Sequence, residues 1–229
     1  ELDVSNKPAL SDLDVDGNLL GELDVSANPK LQYLICSETG LTELDISGNP
    51  KLGMLWCDGN ELTELDVSTA PLLYDLRVSG NSLGELDVSA NPELECLAGS
   101  NTGLTELDVS DNPKLLWLYC DGNELTELNV SQNVSLLELF CSDNELTELD
   151  VSGNPKLRAL ECAGNHLTAL NLGTAVKADR FAGGGQTASL EGIPADSYDL
   201  AKLNSAISGD AVINLSGAQL SGTVISGYA

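Results

Sequence analysis

The leucine of an L-D-V-like triplet stands at Leu2, Leu23, Leu44, Leu65, Leu86, Leu107, Leu128, Leu149 and Leu170, always 21 residues after the last. A second series lies between them: Leu13, Leu34, Leu55, Leu76, Leu97, Leu118, Leu139 and Leu160, again in steps of 21. A fixed period of this kind means one small unit stacked on copies of itself, because no unit can bury its apolar side alone. The chain must therefore fold as a solenoid. Each turn carries two L-x-(V/C) triplets, which predicts two short parallel strands per turn, one on each side. Strand alternation puts the first and third residue of a triplet inside. A 21-residue turn leaves no room for a long helix, and parallel crossovers are expected to be right-handed. Residues 1–172 hold about eight to nine such turns. After Leu172 the period fails, and Gly183, Gly184 and Gly185 follow. Residues 173–229 read as an irregular C-terminal cap or as the start of a small β-rich domain, since the last rung of a solenoid needs cover.

The turns between strands repeat as strictly. Asn recurs at 28, 49, 91, 112, 133 and 154 after one triplet, and at 18, 60, 81, 123, 144 and 165 after the other. Buried at a tight turn, an Asn side chain can satisfy backbone groups of the neighbouring turn. Five of the six cysteines, Cys36, Cys57, Cys120, Cys141 and Cys162, share one inward slot with Val15, Val78 and Gly99. A slot shared by Cys and Val is a small core position, so these thiols read as a reduced, buried ladder. Spacing along one line of parallel strands does not suit a tetrahedral metal site. Cys96 aligns instead with Tyr33 and Trp117 and is expected on the surface.

The string L-x-x-L-x-C-x-x-N-x-L-T-x-L-D-V-S-x-N, readable from Leu52 through Asn60 to Val67, resembles the nested 21-residue leucine-rich repeats of bacteria. It is most similar to the listerial internalins that carry a cysteine ladder. Related surface repeats occur in gut Firmicutes and Bacteroidetes. The resemblance covers residues 1–172 and implies a leucine-rich-repeat solenoid in a secreted or cell-surface bacterial protein. It also implies that the protein engages host or environmental macromolecules. The chain opens at Glu1-Leu2-Asp3-Val4-Ser5, in mid-repeat, and reads as part of something longer; no wall-sorting motif is present.

The outward positions of the two triplet series are unequal. Around the L-D-V leucine stand Glu1, Glu22, Glu43, Glu64, Glu85, Glu106, Glu127 and Glu148, with Asp3, Asp24, Asp45, Asp66, Asp87, Asp108 and Asp150. Like charges about 5 Å apart repel. Two roles would justify them: solubility with protection of an open sheet, or Ca²⁺ bridging of rungs, for which Glu64, Asp66, Glu85, Asp87, Glu106 and Asp108 are the weak candidates. Around the other leucine every turn differs. Tyr33, Met54, Asp75, Cys96, Trp117, Glu138 and Ala159 precede it; Ile35, Trp56, Arg77, Ala98, Tyr119, Phe140 and Glu161 follow it. Both Trp and the only Met of the chain lie here. Outward aromatics on a soluble surface mark interaction sites. Tyr33, Ile35, Met54, Trp56, Arg77, Trp117, Tyr119 and Phe140 are therefore the candidate ligand-binding residues, in two clusters separated by Asp75, Arg77 and Ala98. The ligand is expected to be a protein or a glycan, bound by a monomer.

Other functions fit poorly. The chain holds 36 acidic and 10 basic residues, a net charge of -26, which opposes nucleic acid and anionic membranes. No apolar run is long enough for a membrane span. His166 is the only histidine, no nucleophile has a credible base, and the three glycines lack the context of a phosphate loop. No enzyme activity or cofactor is expected. A spacer that displays other domains, or a Ca²⁺-dependent surface protein, are the alternatives to a recognition module.

Overall fold

The computed structural model describes residues 2–172 throughout and, beyond them, the backbone of strands at 180–182, 187–191 and 212–216. The second series of triplets forms strands β1 (Asp12–Asp14), β2 (Tyr33–Ile35), β3 (Met54–Trp56), β4 (Asp75–Arg77), β5 (Cys96–Ala98), β6 (Trp117–Tyr119) and β7 (Glu138–Phe140). The L-D-V side gives β8 (Glu148–Asp150) and β10 (Ala169–Asn171), and β9 (Ala159–Glu161) lies between them in sequence. The remaining strands are β11 (Arg180–Ala182), β12 (Thr187–Glu191) and β13 (Val212–Ser216). The first sheet is parallel and nine-stranded, in the order β1-β2-β3-β4-β5-β6-β7-β9-β11. Its register is constant, each leucine facing the leucine one turn on, as Leu34 faces Leu55 and Leu55 faces Leu76. The second sheet has four strands, β13-β12-β10-β8. Among the described residues there is no helix.

The two sides of the solenoid are bonded differently. On the first sheet the ladder is complete from β1 onward. On the L-D-V side it begins only at β8, which pairs with β10, where Val151 N also donates to Asn171 O at 2.9 Å. The earlier L-D-V segments form no ladder. The carbonyl that ends each segment caps the next turn instead: Val25 O accepts both Asn28 N and the Nδ2 of Asn49, each at 3.0 Å. The leucines record the gap between rungs. Leu44, Leu65 and Leu86 are 8% exposed, whereas Leu149 and Leu170, where the ladder closes, are 2% and 1% exposed. The change coincides with charge. Ala169 and Asn171 stand where earlier turns carry Glu and Asp, so Glu148 and Asp150 face neutral partners. Elsewhere at least the glutamates oppose one another, and that repulsion acts against closure. Strands on both sides are thus present, but through most of the repeats only one side is laddered.

Two asparagine ladders hold the turns. Asn60 donates from Nδ2 to Cys36 O and Cys57 O, both at 2.9 Å, while its Oδ1 accepts Thr39 N and Leu41 N. Asn49 donates to Val25 O and Asn28 O across the preceding turn. Thr39 and Thr102 occupy the Asn slot in their turns, and each hydroxyl reaches the strand-end carbonyl three residues back, Cys36 O and Gly99 O. The interior between the sides is leucine, valine and the cysteine column, with Cys36, Cys57, Cys120, Cys141 and Cys162 all at 0% exposure. Burial pushes the Cys36 thiol up to about 12, so these thiols stay neutral and unreactive. β11 extends the first sheet from β9 in register, and β12 and β13 extend the second from β10. The expected boundary at 172 and the reading of 173–229 as a cap otherwise fall outside the described residues.

Candidate binding face

The outward side of the first sheet carries the chain's variation. Tyr33, Ile35, Met54, Trp56, Arg77, Trp117, Tyr119 and Phe140 all lie on it, half-buried apart from Tyr33, which is 37% exposed. The register fixes their neighbours: Trp56 faces Arg77, Cys96 faces Trp117, Trp117 faces Glu138 and Tyr119 faces Phe140.

Two aromatic centres result. At the first, the Arg77 guanidinium lies 4.0 Å from the centroid of the Trp56 ring. The Asp75 carboxylate fixes it there, with Nε at 3.1 Å and Nη2 at 3.2 Å. Asp58, two residues after Trp56, lies within electrostatic reach of the same guanidinium. The Trp56 Nε1 is buried without an acceptor. At the second centre, the Tyr119 and Phe140 rings sit 5.0 Å apart and tilted by 48°, a favourable edge-leaning pair. Tyr119 donates its hydroxyl to Glu138 Oε2 at 2.8 Å. Burial and that carboxylate push the phenol well above its usual range.

The expected separation of two clusters is narrower than the sequence implies. Arg77 and Tyr119 converge across the small Ala98, close enough for the guanidinium to act on the phenol. Two further features complete the face. Tyr74 lies against Gly53, where a Cβ would approach its ring to 2.9 Å, and this lets its phenol reach Tyr33. Leu116 and Leu137 stand half-buried just before Trp117 and Glu138. The sequence signal for these residues is the position before the strand, where Gly53, Tyr74, Glu95, Leu116 and Leu137 replace one another every 21 residues.

Cys96 corrects an expectation. It is 7% exposed and not a surface thiol. Its outward side chain is short and sits between the larger Asp75 and Trp117 of the flanking strands. Burial pushes the thiol up to about 12, and the neighbouring Asp75 carboxylate adds to the shift.

The opposite side is uniform. An open groove of about 2320 Å³ runs along it, floored by the L-D-V leucines and walled by the glutamate and aspartate rows. The aspartates are structural as well as charged. Asp24 Oδ1 accepts Ser26 N at 2.9 Å, and Asp45, Asp66, Asp87 and Asp108 repeat the bond with the serine two residues on. This local turn is what recurs, and Asn129 makes it equally well with Ser131 N. One oxygen of each aspartate is thereby occupied. Among the described residues no three acidic, histidine or cysteine side chains converge as a metal cage, at Glu64, Asp66, Glu85, Asp87, Glu106, Asp108 or elsewhere. His166 lies at the surface with Nε2 2.8 Å from Glu145.

Stacked 21-residue turns, one continuous parallel sheet, two asparagine ladders and a buried cysteine column define a leucine-rich-repeat solenoid. The chain is internalin-like in particular. It is similar to the functional domain of InlJ from Listeria monocytogenes, a domain that includes a cysteine ladder, at 34% identity and a TM-score of 0.68 over 93% of this chain. It spans 50% of that structure's chain. An internalin, InlF, of the same organism matches with a TM-score of 0.75 at 19% identity, over 91% of this chain and 63% of its own. YopM from Yersinia enterocolitica matches at 25% identity and 0.64, over 91% and 47%. No protein-family model and no curated protein matches the sequence. Solenoids of this type are generally protein-interaction modules.

Proposed function

We propose that the chain is a non-enzymatic recognition module of a secreted or cell-surface bacterial protein, and that it binds a protein partner through the outward face of the first sheet. The observation that carries this reading is the segregation of side chains. Every turn repeats the same fold-determining residues, yet both tryptophans, Tyr33, Tyr119, Phe140 and Arg77 gather on one face. Trp, Tyr and Arg supply most of the binding energy at protein interfaces. The groove on the other side offers the same two carboxylates at almost every turn, which cannot distinguish one partner from another.

The test is a Trp56→Ala/Trp117→Ala double variant probed beside the unaltered chain on arrays of defined proteins and glycans. Capture of specific proteins by the unaltered chain, lost in a double variant that keeps its β-rich circular dichroism, is the expected result. Capture that survives the double substitution refutes the reading. Silence on both arrays favours a spacer, and capture of glycans alone reassigns the face to carbohydrate.

A further inference from the structure

The two aromatic centres share one plan. Each has an aromatic ring followed by cysteine and aspartate, Trp56-Cys57-Asp58 and Tyr119-Cys120-Asp121. Each aspartate is half-buried and held by the amide of a serine one turn on, Asp58 Oδ1 by Ser79 N at 2.8 Å and Asp121 Oδ1 by Ser142 N at 2.9 Å. Each centre has a second carboxylate: Asp75, which faces Met54 and holds the Arg77 stacked on Trp56, and Glu138, which faces Trp117 and holds the Tyr119 hydroxyl. At the first centre this frame encloses a cation of the chain's own, the Arg77 guanidinium, stacked on the ring and paired to the carboxylate. At the corresponding place in the second centre, facing Tyr119 as Arg77 faces Trp56, stands Phe140, which is not basic and whose ring packs on that of Tyr119, so a cation there would meet the pair of rings and the outward Trp117 beside Glu138. Glu138 takes part in no ion pair among the described residues; its partner is the Tyr119 hydroxyl.

From this juxtaposition, and resting on the reading of this face as a protein-binding surface, we infer that the centre formed by Trp117, Tyr119, Phe140, Glu138 and Asp121 receives an arginine or lysine side chain of a basic protein partner. The chemistry is that of Arg77 on Trp56. An aromatic face attracts a cation through its quadrupole, and a preset carboxylate adds a charge-assisted hydrogen bond. Leu116 and Leu137 beside it accommodate the aliphatic stem, which such side chains bury while the charged head stays polar. The net charge of -26 complements a basic partner and speeds its approach.

General attraction between a cationic probe and an acidic chain must be separated from this site, and the opposite face supplies the control. The probes are Gly-Ser peptides with arginine at every third position, with citrulline and glutamate counterparts, titrated calorimetrically against the full chain. The arginine peptide is expected to bind and the citrulline peptide not. Glu138→Gln/Asp121→Asn is expected to weaken binding at least about tenfold, and Tyr119→Ala similarly. Glu106→Gln/Asp108→Asn, which removes the same charge from the groove side, should leave the affinity within about twofold. No binding of the arginine peptide, equal binding of citrulline, or equal loss from both double variants overturns the inference. The defined-protein array distinguishes the two levels. Captured proteins that depend on Trp56 and Trp117 but are not basic overturn the cation seat and leave the binding face standing. Capture indifferent to both tryptophans overturns the face itself.

Discussion

Asn60 bonds two successive turns at once. Its amide nitrogen serves the carbonyls of Cys36 and Cys57, and its oxygen serves the amides of Thr39 and Leu41. All four are buried main-chain groups with no water to fall back on. Asn60→Ala leaves them unsatisfied and is expected to cost about 3 kcal/mol in urea unfolding. Asn18 occupies the same slot in the first described turn but is exposed and bonds only Val15 O and Asp16 O within its own turn. Asn18→Ala should cost roughly 1 kcal/mol or less. A similar cost at both positions would show that the inter-turn bonds contribute little. The two threonines at this slot, Thr39 and Thr102, mark where a hydroxyl replaces the amide and keeps part of the network. The same residue-level logic explains Cys96. Its alternation correctly placed it outward, but outward is not exposed when the flanking side chains are Asp75 and Trp117.

At the scale of the strand, equal hydrophobic patterning gives unequal structure. Both triplet series have inward leucine and a small third residue, so periodicity alone predicts a ladder on each side. What separates them is the outward chemistry: varied on one side, two like charges on most rungs of the other. The ladder closes at β8 and β10, where Ala169 and Asn171 remove the opposing charges and Asn171 Nδ2 reaches Asp150 Oδ2 at 3.2 Å. Neutralising two adjacent central rungs, with Glu85→Gln, Asp87→Asn, Glu106→Gln and Asp108→Asn together, should therefore raise the melting temperature in low salt by roughly 3 °C. The asparagines retain the turn-forming bond, as Asn129 does with Ser131. The gain should shrink at about 1 M salt, which screens exposed charges to within a few ångström. An unchanged or lower melt in low salt would mean that turn geometry, not repulsion, keeps the rungs apart. The repeat, the cores and the asparagine ladders were legible because each is a property of one position read every 21 residues. The Asp–Ser turn, the seating of Arg77 on Trp56 and the approach of Tyr74 to Tyr33 were not, because each depends on side-chain direction across rungs.

Over the whole molecule, acid titration should reveal two opposed sets of aspartates. Asp58 and Asp121 belong to the varied face. Burial raises them above the ordinary aspartate value of 3.8, and their serine amides offset this only in part. A carboxyl raised in the folded state holds its proton more tightly there, so folding gains stability as pH falls through the raised value. The gain is complete below 3.8. Asp3, Asp24, Asp45, Asp66 and Asp87 belong to the uniform face. The hydroxyl and amide of the following serine hold each of them below 3.8, and Asp108 and Asp150 are lowered too. A lowered carboxyl stabilises the fold fully above 3.8 and loses that contribution as pH falls through its depressed value. The melting temperature is therefore expected to rise as pH falls from neutrality to a maximum near pH 3.8 and to decline below it, measured by circular dichroism in constant ionic strength. Asp58→Asn/Asp121→Asn should flatten the rise and leave the acid limb in place. A steady decline from pH 7, or an unchanged rise in the double variant, would place the favourable protonation elsewhere than on the binding face.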